Sequence, residues 1–118
     1  MAKKEEKRVE PIRLNYEGGE EYILEFNRET VVYAEDHGFD VNEVPNKMQK
    51  YMPDMFFYAF LMHHPKIDHE TTDSILFDDL GGITPELTER LLGLYTKAYM
   101  TLINASGKPK NAKLTVSM

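Results

Sequence analysis

The densest apolar stretch of the chain runs from Met48 to Pro65, MQKYMPDMFFYAFLMHHP, and its middle, Met55 to Met62, carries no charge. A strand could be this apolar, but Met, Ala and Leu at this length favour a helix. A helix apolar on every side must be covered on every side, by a core or by a membrane. The run is too short for a bilayer, which needs about 20 residues. The pattern therefore predicts a central core helix with the rest of the chain packed around it. Pro53 interrupts the stretch, removing one backbone donor and crowding the carbonyl four residues earlier. Either a kink near Gln49 to Met52 or a fresh start with Pro53 as first helical residue is expected, the latter giving a central helix from Pro53 to His64.

Upstream the period changes to two. Ile12 and Leu14 alternate with Arg13 and Asn15, and Tyr22, Leu24 and Phe26 alternate with Ile23 and Glu25, with the turn sequence EGGE at Glu17 to Glu20 between them. Paired glycines supply the positive φ of a tight hairpin, so a hairpin over about 11–16 and 21–26 is predicted. Two strands alone are marginal in water, and the apolar face has to lie on a helix. Asn27 is placed to cap a short helix that Gly38 can end in the left-handed conformation, with Phe39 folding back onto it. DVNEVPNK then reads as a linker in which Asp40 or Asn42 can cap one extra turn. Asp68 caps a helix over about 69–80 with Ile75, Leu76 and Leu80 as its stripe and Phe77 beside it. Asp78 and Asp79 sit at the negative pole of that helix, and Gly81 and Gly82 stop it. Thr84, Pro85 and Glu86 form a cap, a first-turn proline and an acidic first turn, opening a helix over about 85–104. Leu87, Leu91, Leu94, Tyr95, Ala98, Tyr99 and Leu102 fall on its one face. The predicted fold class is α+β, mainly α: an N-terminal β-hairpin packed on a cluster of about four helices. Residues 1–9 are expected to be a flexible charged N-terminus, 10–104 a single α+β domain and 105–118 a flexible basic C-terminal tail.

The 118-residue length fits one domain able to bury about two-thirds of its unfolded surface. The chain has no cysteine, which excludes thiolate and disulfide chemistry and fits a reducing compartment. No apolar segment follows the charges of MAKKEEKRVEP, so secretion is not expected. The formal charge is -6, but residues 14–104 hold 6 basic against 17 acidic side chains, a net of -11. An acidic body repels phosphate backbones and disfavours nucleic acid as a partner except through the tails. It serves solubility, and it also suits a basic partner segment.

Candidate catalytic groups do not assemble in the sequence. His63, His64 and His69 lie close together with Asp68 and Asp73 nearby, but adjacent helical residues point about 100° apart, whereas a metal site wants ligands on one face. Histidines closing a helix also complement its dipole. Glu35 with Asp36, and Asp78 with Asp79, are neighbours on helix surfaces, whereas general acid–base pairs need two carboxyls in different environments within a cleft. Gly18-Gly19 and Gly81-Gly82 lack the Lys-Ser/Thr of a phosphate loop, and Ser74, Ser106 and Ser117 have no nucleophile-elbow context. The expectation is a protein that is not an enzyme, with no catalytic residue, no metal and no cofactor. What remains is a binding surface. Of the seven methionines, Met48, Met52, Met55 and Met62 lie in the central stretch. Methionine fills irregular cores and also lines adaptable grooves. The proposed contacts with a partner are Met52, Met55, Phe56, Tyr58, Met62, Tyr95 and Tyr99, from the central and last helices.

The order and spacing of three segments, EYILEFNRETVVYAEDHGFDVNEV, MPDMFFYAFLMHHPKID and TDSILFDDLGGI, resemble the tail assembly chaperones of long-tailed phages and prophages of Gram-positive bacteria. The points of similarity are Leu24 to Arg28, Gly38 to Asp40 and Phe57 to Pro65, and the resemblance covers about Glu21 to Leu94. It implies a non-enzymatic protein of the host bacterial cytoplasm. Such a protein binds and solubilises the long, helix-rich tape measure protein during tail morphogenesis and leaves as the tail tube forms. In many relatives a frameshift appends a second domain, held to recruit the tail tube protein. Tape measure protein is therefore the expected partner, with tail tube protein and a homo-oligomer as further ones, and without nucleic acid or membrane. Two alternatives stay open: a structural head–tail or tail component retained in the virion, and a prophage-encoded adaptor or inhibitor of a host protein.

Overall fold

The computed structural model describes residues 10–103, 108 and 110–115. Within them the order is β1 (Ile12–Asn15), β2 (Glu21–Leu24), α1 (Arg28–Asp36), a 3-10 turn (Val41–Glu43), α2 (Met48–Phe60), α3 (His69–Ser74) continuing as π-helical turns over Ile75–Asp79, α4 (Pro85–Tyr99) and a closing 3-10 turn (Met100–Leu102). The protein is mainly helical, with an antiparallel hairpin laid on four helices, as the alternation and caps predict. The expected flexible segments fall wholly (1–9) or partly (105–107, 109, 116–118) outside the described residues.

The hairpin pairs Ile12 with Leu24 and Leu14 with Tyr22, which puts its apolar side chains on one face. Ile12 and Leu24 are buried, and Leu14 and Tyr22 pack against the core from its margin. Gly19 has the positive φ the turn demands. The strands are shorter than predicted. Beyond Leu24 the chain stops pairing with β1: the Glu25 N–H donates to the Ala59 carbonyl (2.8 Å) and Phe26 buries against Tyr95. On the same outer edge the Ile23 N–H donates to His64 Nε2 (3.0 Å), and His63 Nε2 lies 2.8 Å from Glu25 Oε1. The end of α2 and the turn after it thus cover an edge that would otherwise offer free donors.

The local signals for helix ends hold at each cap. Asn27 Oδ1 accepts from the Thr30 N–H (2.8 Å) while the Asn27 N–H donates to Thr30 Oγ1 (2.9 Å), a reciprocal box. Gly38, at φ 88°, turns the chain so that the Phe39 N–H reaches the Ala34 carbonyl and Phe39 packs inward. Asp40 caps the 3-10 turn, Asp68 caps α3 and Thr84 caps α4.

Three expectations about extent need correction. The helix α2 begins at Met48 and continues as one helix through Pro53 to Phe60, neither restarting at Pro53 nor reaching His64. Gln49, whose carbonyl loses its donor to Pro53, is exposed, so water can serve that carbonyl. The last helix ends at Tyr99 and tightens into a 3-10 turn, which shifts the phase of the apolar face and leaves Leu102 70% exposed. Leu80 does not join the buried stripe of α3. The π turns are wider than α turns: the Leu80 N–H bonds Ile75 O rather than Leu76 O, and Leu80 comes round to the surface while Ile75 and Leu76 stay buried.

The core is centred on α2, where Tyr51, Met52 and every residue from Met55 to Phe60 are buried. Leu24 and Phe26 from the hairpin side, Val31 and Ala34 from α1, Ile75 and Leu76, and Leu91, Leu94, Tyr95 and Ala98 from α4 close around it.

Candidate partner-binding groove

The three helices that enclose the core meet at one open end, where α2 begins, α3 finishes and α4 begins. Met48 is the first helical residue of α2 and lacks the cover that the middle of that helix enjoys. The π turns of α3 push Phe77 outward, to 53% exposure. Gly81 and Gly82, both at positive φ, swing the chain into Ile83 and the Thr84 cap. Between these elements lie two adjoining apolar clefts that share Met48 and Ile83. One, of about 290 Å³, is lined by Met48, Gln49, Met52, Pro53, Leu76, Phe77, Gly82 and Ile83. The other, of about 440 Å³, is lined by Met48, Ile83, Pro85, Thr88, Glu89 and Leu92. Met48 and Phe77 are exposed, so the groove is apolar and open to solvent.

Of the seven side chains expected to contact a partner, the structure brings one to this groove. Met52 forms part of its floor, nearly covered by the neighbouring side chains. Met55, Phe56, Tyr58 and Tyr95 are buried in the core, and a partner could reach them only by opening the fold. The middle of α2 is apolar because it is enclosed. Met62 and Tyr99 are exposed, but neither lines the groove: Met62 lies on the turn after α2 and Tyr99 stacks on Tyr95 at the far end of α4. The groove residues that sequence reasoning passed over are Met48, Phe77, Ile83 and Leu92. The available signal was apolar residues beside breakers, with Phe77 ahead of the glycine pair and Ile83 between Gly82 and Thr84.

The histidines have structural partners in place of a common focus. His64 accepts from the β2 edge and packs on Tyr22 (ring centroids 5.1 Å apart). His63 faces Glu25, while His69 stacks on Phe57 (3.8 Å) and lies 3.5 Å from Asp54. Burial lowers the His64 pKa from its ordinary 6.5, with the neighbouring His63 adding to the effect. Burial raises the Asp54 carboxyl, partly offset by His69. Among the described residues no cluster of three or more His, Asp or Glu side chains is arranged to hold a metal ion. Asp79, at the end of the π-helical turns, accepts from the Tyr16 hydroxyl just after β1, and this bond to the carboxylate is the main cause that pushes Tyr16 up to about 12. Asp78 accepts from the Ser74 hydroxyl. The two acids therefore serve separate local contacts. Among the described residues no helix is long and apolar enough to cross a membrane.

The family model described as Domain of unknown function (DUF5055) matches residues 1–118, and the chain belongs to that family. Comparison with the curated proteins and with the solved structures finds no match.

Proposed function

We propose that this member of the DUF5055 family is a phage tail assembly chaperone, which binds and solubilises the tape measure protein in the host bacterial cytoplasm during tail morphogenesis. The observation that carries the reading is the solvent-open apolar groove lined by Met48, Met52, Phe77, Ile83 and Leu92. An apolar groove with a polar rim is the kind of surface that partner or ligand sites use. Methionines in the floor can re-pack around clients of varied sequence. The motif order from Glu21 to Leu94 supplies the class of client, and a helix laid in an apolar groove is an established way of masking such a client. In this role the chain performs no chemistry: it covers apolar helix faces and is released as the tube subunits polymerise around the client.

Co-expression with the product of the neighbouring long helical reading frame tests this. The client should move from the insoluble to the soluble fraction and co-purify with the chain. The chain should also be missing from purified virions. Stoichiometric presence in virions would mark a retained structural component, and capture of a host protein in place of the tail protein would mark an adaptor.

A further inference from the structure

The groove has a chemical bias along one side. On α4 the residues lining it are Pro85, Thr88, Glu89 and Leu92, a single helical face, and Glu86 lies next to Glu89 on the outer flank of that face. Both glutamates are exposed, and neither has an ion-pair partner among the described residues. The nearest base on their own helix, Arg90, is turned away and donates to the Glu10 and Pro11 carbonyls (both 3.3 Å). Lys50 on α2 is likewise directed elsewhere, over the Tyr51 ring. Lys47 immediately precedes Met48, on the α2 side of the groove and not on the α4 side. The apolar floor is thus edged by two uncompensated carboxylates on a body whose net charge over residues 14–104 is -11.

We propose that the groove takes an amphipathic helix whose apolar stripe is flanked by Lys or Arg. Two apolar anchors about one turn apart occupy the adjoining clefts on either side of Met48 and Ile83, and the basic flank faces Glu86 and Glu89. This rests on the client-binding role above and specifies the stretch of client that is covered. Rim charges of this kind select the partner and speed encounter more than they add affinity, so the signature is selectivity with salt dependence.

The test uses the full chain and three labelled probe peptides followed by fluorescence anisotropy: an amphipathic Leu/Lys helix, the same helix with Glu in place of Lys, and a scrambled Leu/Lys peptide. The wild type should bind the Leu/Lys helix at least about tenfold tighter than the other two, with the preference shrinking as salt rises. Phe77→Asp should remove binding while the circular dichroism spectrum stays that of the wild type. The double variant Glu86→Lys/Glu89→Lys should reverse the preference towards the Leu/Glu helix. A control, Glu17→Lys/Asp36→Lys, changes the net charge equally at exposed sites elsewhere and should leave the preference in place. Equal binding of the Leu/Lys and Leu/Glu helices, sensitive to Phe77→Asp, would overturn the charge selection and leave the client-binding role standing. An equal effect of the control pair would reduce the selection to bulk attraction and overturn it as well. Binding of no helix in a Phe77-dependent way would overturn both.

Discussion

The outer edge of β2 depends on a histidine that must be neutral to hold it. The Ile23 N–H donates to His64 Nε2, so that nitrogen has to present its lone pair, and protonation turns the acceptor into a donor facing a donor. Ile23 and His64 are both half-buried, and leaving such an N–H unpaired costs about 1–3 kcal/mol. Replacing His64 with Leu should therefore lower the free energy of unfolding by about 2 kcal/mol at pH 7.5. Gln, which can offer an oxygen acceptor, should recover part of the loss. The pH dependence has a defined sign. Burial, and next the neighbouring His63, hold the His64 pKa below its ordinary 6.5. The unfolded chain then binds the proton first, so the contribution is fully present above 6.5 and is lost as pH falls through the lower folded value. Urea denaturation of the wild type and His64→Leu at several pH values between about 7.5 and 4.5 isolates this term as the difference between the two proteins. The subtraction removes to first order the contributions of groups common to both proteins. The two curves should converge at acid pH, and amide exchange at Ile23 should accelerate in the variant. A constant gap between the curves, or no destabilisation by His64→Leu at pH 7.5, would refute the edge-holding role.

Further consequences can be checked with simple variants. Phe56 is fully buried at the centre of α2, so Phe56→Ala should cost about 3–5 kcal/mol in urea unfolding, and Met55→Asp should prevent folding outright. Tyr95 buries a hydroxyl with no hydrogen-bond partner among the described residues, and burial is the main cause that pushes it up to about 12. Tyr95→Phe should therefore be neutral or stabilising by about 1 kcal/mol, read as a rise in Tm, whereas an ordinary buried tyrosine loses stability on this change. Ultraviolet titration of the folded protein should show Tyr16 and Tyr95 ionising near pH 12, and Tyr16→Phe should remove one of those transitions.

What was legible in the sequence was local. The hairpin followed from alternation around the glycine pair, and Asn27, Gly38, Asp68 and Thr84 marked helix ends because a cap is satisfied by residues three or four positions away. The apolar core of α2 followed from the density of Met55 to Met62. Features set by packing at a distance were not legible. Whether Pro53 breaks a helix depends on whether the carbonyl it orphans can be hydrated, and here the residue concerned is exposed. The π turns over Ile75–Asp79 shift Leu80 and Phe77 to the surface, and a 3.6-residue period cannot announce them. Most of the expected contact residues do not line the groove for a related reason. Apolar density identifies what a fold encloses, so the densest residues, Met55, Phe56, Tyr58 and Tyr95, were the least available to a partner. The groove is built from sparser apolar residues at helix ends, and those meet only in three dimensions.

Site-specific photo-crosslinking in the co-expressed complex tests the central claim most directly. A photoreactive phenylalanine analogue placed at Phe77 or Met48, one at each site in turn, should yield a covalent adduct with the tape measure polypeptide. The same probe at Glu17 on the hairpin turn, or at Tyr99 at the far end of α4, should yield none. Adducts from Glu17 or Tyr99 with none from Phe77 and Met48 would place the client elsewhere and contradict the groove as the surface that binds it.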